Sequence, residues 1–173
     1  MSIRPKASSA RAPPYWALAW ASGQVLAAYI EAQPELVEDK HVLDFGSGSG
    51  VVALAAKQAG ARVAVAMDRD EGALEAAQLN AETLGLTLAY SATLETERFD
   101  VLFAADVLYD RDNVARLDTF RSRADVVIVA ESRFDRLPHP AYAEIFAREA
   151  CTYPDIDESA TLKYVRLFRA HGT

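Results

Sequence analysis

A glycine-rich turn between a short apolar strand and a helix restricts the possible folds of this chain more than any other feature. The strand is predicted over 41–45, where Asp44 is the only acidic residue. Glycine and serine alternate over 46–50, and an alanine-rich helix over 51–59 ends at Gly60. Glycine takes the left-handed backbone conformations of a tight strand-to-helix turn without steric cost. Such a turn is typical of the ligand-binding crossover in doubly wound α/β domains.

The alternation of apolar strands and helices continues through the rest of the chain. Strands that carry few charges are typical of a parallel sheet covered on both faces, and right-handed crossovers restrict its topology. Asp70 is placed to begin the next helix and Gly85 to end it. The predicted fold is α/β, a doubly wound Rossmann-like sheet with helices on both faces. Further strands are predicted over 62–67, 87–90, 99–105 and 125–130, a closing hairpin over 149–153 and 162–168, and further helices over 15–30, 70–84, 113–122 and 140–147.

The length of 173 residues suits one compact domain. We assign 15–173 to that domain and 1–14 to a basic N-terminal arm with Arg4, Lys6 and Arg11 and no acid. The arm has the charge of an organelle transit peptide, but its prolines disfavour the amphipathic helix that such a signal needs. No apolar run approaches the ~20 residues needed to cross a bilayer. We therefore predict a cytoplasmic protein without membrane attachment.

Charge and cysteine content argue against several classes of protein. Lys and Arg number 18 against 25 Asp and Glu, and the net charge of −7 repels nucleic acid. Cys151 is the only cysteine, so an internal disulfide is excluded, and we expect a small buried side chain there. The three histidines lie far apart and match no metal-ligand spacing, so no metal site is predicted.

The glycine turn fits more than one kind of site. The segment from Gly48 to Ala53 matches the dinucleotide pattern G-x-G-x-x-A, and Asp68 lies 18 residues after Gly50. Dinucleotide enzymes place the acid that binds the ribose at about this distance. A dehydrogenase or another nucleotide enzyme is therefore one interpretation. A turn with a purely structural role, in which Asp44 and Asp68 are ordinary strand-end residues, is another.

Asp44 favours a different cofactor. It lies two residues before Gly46, where a dinucleotide would bring its anionic pyrophosphate. A carboxylate there repels phosphate and attracts the ammonium and sulfonium groups of S-adenosylmethionine. We therefore favour S-adenosyl-L-methionine as the cofactor, with Asp44 facing its positive groups and Asp68 accepting hydrogen bonds from its ribose hydroxyls.

Three segments together resemble a known family. They are 13–24 (PPYWALAWASGQ), 42–50 (VLDFGSGSG) and 105–110 (ADVLYD). With them the chain resembles family 16 of the seven-β-strand (class I) S-adenosylmethionine-dependent methyltransferases. Within that family it is similar to the lysine methyltransferases of the electron transfer flavoprotein β-subunit, whose bacterial members are often labelled nicotinamide N-methyltransferase-like. The resemblance covers nearly the whole chain, including 153–157 (YPDID).

The resemblance implies strand order 3-2-1-4-5-7-6 with the last strand antiparallel. It also implies that the tryptophan-rich segment packs over the cofactor, so that Trp20 and also Trp16 border the pocket. Two core tryptophans four residues apart on a helix are the alternative. The implied cofactor-binding residues are Trp20, Asp44, Gly46, Gly48, Gly50, Asp68 and Arg69, and the implied catalytic residues are Asp106 and Tyr109.

The implied function is methyl transfer to a lysine of a protein substrate, with the electron transfer flavoprotein β-subunit as a possible substrate. Asp106 would hold the amine and Tyr109 would supply a wall or a hydrogen bond, while Asp110 adds to the attraction for a protonated lysine. A helix-capping Asp106 is the structural alternative. A small-molecule amine N-methyltransferase and a catalytically inactive cofactor-binding or interaction module are the functional alternatives. No nucleic-acid partner is predicted.

Two segments depart from the pattern of this family. Many relatives carry an acid after the third strand that receives the adenine amino group, whereas 90–94 (YSATL) has none before Glu95. After the fifth strand, 131–134 (ESRF) stands where the flavoprotein-modifying enzymes are expected to have a glycine-containing segment. The first departure bears on adenine recognition and the second on the substrate.

Overall fold

The computed structural model describes residues 14–94, 97–157 and 159–173. Strands and helices alternate through the first two thirds of the chain, which then ends in a hairpin. The strands are β1 (His41–Phe45), β2 (Val63–Met67), β3 (Ala89–Ser91), β4 (Phe99–Ala105), β5 (Ala124–Glu131), β6 (Ala143–Glu149) and β7 (Tyr164–His171). The α-helices are α1 (Ala21–Ala32), α2 (Val51–Gln58), α3 (Glu71–Thr83), α4 (Arg111–Val114) and α5 (Leu117–Arg123). Short 3₁₀ turns lie at Tyr15–Ala17, Pro34–Leu36 and Ala160–Lys163.

The described strands form one seven-stranded sheet in the order β3-β2-β1-β4-β5-β7-β6, which confirms the predicted order. The strands from β1 to β5 pair in parallel, and β7 runs antiparallel to both of its neighbours, as predicted. At the end of β1, Phe45 is opposite Met67 of β2 on one side and Ala104 of β4 on the other. The carboxyl ends of these three strands therefore meet at one edge of the sheet.

Each face of the sheet carries its own apolar core. Val42 and Val101 point to one face and pack among buried residues of α1, α2 and α3. Their neighbours Leu43 and Leu102 point to the other face, where Phe120 of α5 is fully buried. Successive side chains of a strand alternate between faces, so a strand buried on both faces is apolar at nearly every position.

The ends of α3 follow the residues that predicted them. The side chain of Asp70 accepts a hydrogen bond of 2.9 Å from the backbone N–H of Gly72 and caps the helix. Gly85 follows the helix with a φ of +66°, the left-handed conformation typical of a helix end.

The predicted helix over 15–30 begins six residues later, at Ala21. Trp20 precedes the helix with extended backbone, and Ala19 pairs with Tyr153 as an isolated antiparallel bridge. The spacing of the two tryptophans therefore does not come from one helix. A contact with a distant part of the chain overrides the local helical preference.

The prediction of a helix over 140–147 was wrong, because Ala143–Glu149 is the edge strand β6. Most of its side chains are exposed, so its sequence lacks the apolar alternation that marks a half-buried strand. A hairpin does end the sheet, but the strand predicted over 149–153 was wrong, because the first strand of the hairpin is Ala143–Glu149 and the chain is irregular after it. The helix predicted over 113–122 is divided into α4 and α5.

Two further expectations concern single regions of the chain. The predicted basic arm, apart from Pro14, lies outside the described residues. Cys151 is exposed and not buried as expected, because it follows the edge strand in an irregular segment. Within the described ranges, no helix combines the length and the apolar character needed to span a bilayer.

Phe120 is expected to be essential for the stability of the second core. It is fully buried and its ring lies 4.7 Å from that of Phe45. Phe120→Ala should lower the free energy of unfolding by about 3–5 kcal/mol through lost burial and a residual cavity. Phe146→Ala on β6, where 37% of the residue is exposed, should cost about 1 kcal/mol or less. Equilibrium unfolding in urea measures both, and equal midpoints for the two variants would contradict this account.

Candidate active site

A cavity of about 790 Å³ lies at the edge of the sheet where the parallel strands end. Its volume is within the range of small-molecule sites. The strand order reverses between β1 and β4, and open α/β sheets bind ligands at this position. The predicted site residues Trp20, Asp44, Gly46, Gly48, Asp68, Arg69, Asp106 and Tyr109 all line the cavity.

Gly46 and Gly48 form the floor of the cavity at positions that require glycine. Gly46 has a φ of +70°, and a Cβ there would lie 2.6 Å from a side-chain methyl of Val107. Gly48 has a φ of +52°, and the nearest atoms to a Cβ there belong to Trp16 at 3.8 Å. The backbone N–H of Gly46 donates to the carbonyl of Met67 at 2.8 Å. The turn is thus tied to the end of β2, and Gly48 lies on the cavity lining next to Trp16.

Gly50 has a different position from the one expected. It lies outside the lining of the cavity, before the first residue of α2 and with a φ of +86°. A Cβ at Gly50 would lie 3.0 Å from the Cβ of Ala77 in α3. Gly50 therefore allows two helices to pack closely, and the cavity itself is formed by the earlier glycines.

Asp44 is a buried carboxylate at the end of β1. Only 2% of the residue is exposed, and one carboxylate oxygen accepts a hydrogen bond of 3.0 Å from the backbone N–H of Ala53 in α2. Burial raises the pKa of Asp44 from its ordinary value of 3.8 to about 7, the nearby charge of Asp68 adds to the increase, and the Ala53 N–H opposes it. A positive charge in the cavity would stabilise the ionised form.

Asp68 follows β2 and organises the turn on the opposite side. One carboxylate oxygen accepts the N–H of Gly48 at 2.9 Å and the other accepts the N–H of Asp70 at 3.0 Å. The side chain of the adjacent Arg69 is 80% exposed and lies 3.6 Å from the carboxylate of Asp110. Asp68 thus holds the glycine turn while its half-buried carboxylate remains on the cavity wall.

The aromatic segment before α1 forms a further wall. Trp16 and Trp20 both line the cavity and are half-buried, so neither is a core tryptophan. The indole N–H of Trp20 donates to the carbonyl of Tyr15 at 2.8 Å. The Tyr15 ring lies between the rings of Trp20 and Tyr109, with centroids 5.7 and 6.0 Å away. The N-terminal segment therefore lines the cavity and contacts Tyr109 on the loop after β4.

This segment is held in place by residues from near the end of the chain. Ala19 and Tyr153 exchange two backbone hydrogen bonds of 2.9 Å. The side-chain amide of Gln24 donates to the carbonyls of Ala19 and Cys151, at 2.7 and 2.9 Å. The wall formed by the tryptophans is therefore anchored to the irregular segment that follows β6.

Asp106 and Tyr109 lie on the loop after β4. Asp106 has a left-handed backbone with a φ of +58°, and its N–H donates to the carbonyl of Ala130 at the end of β5. Its side chain is only 10% exposed and forms an ion pair with Arg133. Tyr109 is 56% exposed, and its pKa is raised chiefly by partial burial. The two residues thus form a charged inner part and an aromatic outer part of the same wall.

Arg133 also lines the cavity and Glu131 lies buried behind it, although the sequence analysis did not identify either as a site residue. Glu131 is fully buried and accepts the backbone N–H groups of Ser132, Arg133 and Leu108 at 3.0, 3.2 and 3.3 Å. Burial raises the pKa of Glu131, the charge of Asp106 adds to this increase, and Arg133 opposes it. The sequence feature that could have identified them is the charged segment 131–134, which directly follows an apolar strand.

The side of the cavity next to β3 is lined by Ala92, Thr93 and Leu94. None of these residues carries an acid, in agreement with the departure noted in the sequence. Glu95 lies outside the described residues.

Comparisons with known proteins agree on the class of protein that the sequence resembles. Residues 25–110 match the model of the family described as ribosomal protein L11 methyltransferase (PrmA). The chain is 39% identical to the electron transfer flavoprotein beta subunit lysine methyltransferase of Homo sapiens over 104 residues. That match covers 57% of this chain and 40% of the human protein, so the chain spans about two fifths of the length of this curated relative.

Solved structures agree on the fold. The magnesium protoporphyrin IX methyltransferase of Synechocystis, determined with bound SAM, superposes with a TM-score of 0.67 at 19% identity, over 88% of this chain and 80% of that one. The ribosomal protein L11 methylase of Lactobacillus delbrueckii superposes with a TM-score of 0.65 at 20% identity, over 87% and 79%. In sequence the chain is similar to methyltransferases, and its fold is that of the seven-β-strand (class I) methyltransferases; the predicted similarity to the flavoprotein lysine methyltransferases is confirmed.

Proposed function

We propose that the cavity binds S-adenosylmethionine and that the chain transfers the methyl group to an amine, in the first place the side-chain amine of a lysine in a protein substrate. The observation that carries this proposal is the placement of Asp44, Asp68 and Asp106 along one cavity at the switch point of the sheet. A similar solved methyltransferase contains bound SAM, which supports the choice of cofactor.

The residues present fit this cofactor in space and in charge. The cavity has a volume of about 790 Å³, and its floor is formed by Gly46 and Gly48, which carry no side chains. Asp44 is a buried carboxylate whose raised pKa would fall beside an ammonium group. Asp68 presents its carboxylate at the end of the next strand, where ribose hydroxyls can donate to it. When bound, S-adenosylmethionine supplies an electrophilic methyl group on a positively charged sulfur.

The chain's own contribution to the transfer is alignment of the acceptor. Methyl transfer is an in-line displacement, which depends on holding the nucleophile close to the methyl carbon. Asp106 provides a negative charge that attracts an amine, deep in the cavity wall. Tyr109 and Tyr15 stack at the exposed rim, where their rings can pack against the aliphatic part of a lysine side chain.

The electron transfer flavoprotein β-subunit is the first substrate to test, because several curated relatives at 36–40% identity are named for methylating it. A small amine is the alternative acceptor, and a module that binds cofactor without transferring methyl is the alternative to an enzyme. We keep the cytoplasm as the proposed location, since a chain with a single cysteine has no internal disulfide that would call for an oxidising compartment.

Transfer of a tritiated methyl group distinguishes these functions. The protein is incubated with labelled S-adenosylmethionine and, in parallel, with purified flavoprotein β-subunit, with a cell lysate and with nicotinamide. Label in the β-subunit that acid hydrolysis recovers as methyl-lysine supports the proposal. Label confined to small molecules favours an amine metabolite as acceptor, and cofactor binding without any transfer favours the inactive module.

Asp68 is expected to contribute most directly to cofactor affinity. Asp68→Ala should weaken S-adenosylhomocysteine binding by ~2 kcal/mol or more, because hydrogen bonds to a charged group contribute roughly 1.5–3 kcal/mol each. Calorimetry measures the change, and Asp125→Ala on the exposed start of β5 is the control.

In thermal scans the wild type should be stabilised by S-adenosylmethionine and not by NAD. Stabilisation by NAD alone would refute the choice of cofactor.

Asp44 is expected to make cofactor affinity depend on pH. Its pKa of about 7 means that it is protonated at pH 5.5 and ionised at pH 8, whereas an adjacent ammonium favours the ionised form throughout. Wild-type affinity should therefore rise by about tenfold from pH 5.5 to 7.5, with proton release on binding, because each pKa unit corresponds to a factor of ten. The comparison stops at pH 7.5 because the amino group of the cofactor, with a pKa of about 7.7–8.0, loses most of its charge at higher pH.

Asp44→Asn is the matched control for this prediction. The variant should bind the cofactor nearly as the wild type does at pH 5.5 and about tenfold more weakly at pH 7.5. The stability of this variant relative to the wild type should also depend on pH. A pKa raised in the folded state makes the carboxylate destabilising once the pH exceeds 3.8, increasingly so up to about 7. The asparagine variant should therefore gain stability relative to the wild type between pH 5 and 8, and parallel stability curves would contradict the burial argument.

Asp106 is expected to affect transfer and not cofactor binding. Asp106→Asn keeps the shape of the side chain and removes its charge, so the rate of methyl transfer should fall by ~100-fold, the scale of a lost positioning group. Affinity for S-adenosylhomocysteine should stay nearly constant, because Asp44 and Asp68 remain. Asp125→Asn, on the exposed start of β5, is the control and should leave turnover nearly unchanged. Normal turnover with a lowered melting temperature would assign Asp106 a structural role.

A further inference from the structure

Three charged residues form a cluster beside the acceptor position, which we call the acceptor triad: Asp106, Glu131 and Arg133. One guanidinium nitrogen of Arg133 lies within ion-pair distance of both carboxylates, and its distance to Glu131 is 3.0 Å. The side chains of Glu131, Asp106 and Arg133 are 0%, 10% and 30% exposed, so the triad extends from the core to the cavity. Two carboxylates share one guanidinium at the point where we place the acceptor amine.

The triad is fixed by the backbone on both of its loops. Glu131 accepts N–H groups from Ser132 and Arg133 on its own loop and from Leu108 on the loop that carries Asp106. The guanidinium also lies 5.8 Å from the centre of the Tyr109 ring. Arg133 is therefore held against Asp106 by a rigid frame, and its charge acts at the same place as the charge of Asp106.

We propose that Arg133 is a positioning residue that keeps the acceptor amine unprotonated while the amine lies beside Asp106. This inference rests on the proposed transfer to an amine. A lone carboxylate at the acceptor site would favour the ammonium form, which has no lone pair to attack with. A guanidinium against the same carboxylate disfavours a second positive charge, so Asp106 can hold the amine by accepting an N–H hydrogen bond without fixing its extra proton.

The electron balance of the step requires this neutral form. The ammonium first loses one proton to water at the open mouth of the cavity. The nitrogen lone pair then forms the bond to the methyl carbon, the bond from carbon to sulfur breaks, and the sulfur keeps the electron pair. The product is a protonated N-methylamine, and its charge replaces the one that the sulfur has lost.

Other titratable groups also face the cavity, and a substitution at Arg133 leaves them in place. They lie at the ends of β1 and β2, on the aromatic segment, after β4 and on the loop before α5. They are Asp44, Asp68, Arg69, Asp70, Tyr15, Tyr109 and Arg116. Their direct effects on a ligand are shared by the wild type and the variants of Arg133, so the comparison measures the change within the triad.

A cofactor analogue tests the inference without a known acceptor. Sinefungin is S-adenosylmethionine with a primary amine in place of the methyl group and carbon in place of sulfur, and S-adenosylhomocysteine lacks that amine. The ratio of their affinities, measured by calorimetry from pH 6 to 9.5, reports how the site affects the charge of an amine that occupies the methyl position, next to the position of the acceptor amine. Arg133→Gln should increase the preference for sinefungin about tenfold or more at pH 6, because a nearby charge shifts a pKa by roughly 1–3 units. The difference should shrink as the free amine loses its proton.

Two further variants keep the result interpretable. Arg133→Lys retains the charge and should behave as the wild type does. The double variant Glu131→Gln with Arg133→Gln avoids leaving Glu131 buried without its cation. It also removes one negative charge, but that charge lies behind the guanidinium, so the double variant should show a gain in the same direction as Arg133→Gln and smaller in size, even if the single variant unfolds. Equal affinity ratios for the wild type and the folded glutamine variants at every pH would overturn the proposed role of Arg133 and leave the proposed function in place. Binding of neither ligand by the wild type would overturn the proposed function and this inference together.

Discussion

The parallel pairing of β1 with β2 on one side and β4 on the other determines where everything else in the site lies. It brings three strand ends to one edge. Each strand supplies one acid of the cavity wall: Asp44 lies in β1, Asp68 directly follows β2 and Asp106 directly follows β4. A slip of one residue in this pairing would turn Asp44 toward the opposite face of the sheet and move an apolar side chain into its place. The apolar cores on both faces prevent that slip, so the packing of the sheet also determines the geometry of the charges.

The sequence predicted the elements whose own residues decide their structure. The strands of the parallel sheet are apolar on both faces, and Asp70 and Gly85 mark their helix without help from distant residues. Elements that depend on distant partners were missed. Ala143–Glu149 becomes a strand only because β7 pairs with it, and Trp20 lies outside a helix because Ala19 bonds to Tyr153. Strand-end acids were foreseeable as site residues, whereas the contact of Arg133 with two carboxylates depends on the path of two loops.

The charged groups of the cavity are arranged at some cost to the stability of the fold. Asp44 is buried with a raised pKa, and Glu131 is buried among backbone N–H groups with one guanidinium for two carboxylates. Buried charge is unfavourable unless it is paired and hydrogen-bonded. Each carboxylate is partly compensated by backbone donors, which keeps it in place, and Glu131 is also paired with Arg133. The deficit that remains at Asp44 is what a positively charged ligand would relieve. Affinity for a cation and reduced stability without it therefore come from the same carboxylate.

The anchoring of the aromatic wall has a consequence for the order in which the protein matures. Trp16 and Trp20 are among the first described residues of the chain, but Tyr153 and Cys151, which hold their segment, lie some 130 residues later. Contacts between residues so far apart form late, because a long loop must close before they are made. During synthesis on the ribosome, the glycine turn and its acids can assemble while that wall is still open. A nascent chain would therefore reach its full affinity for a small ligand only after the segment that follows β6 has left the ribosome.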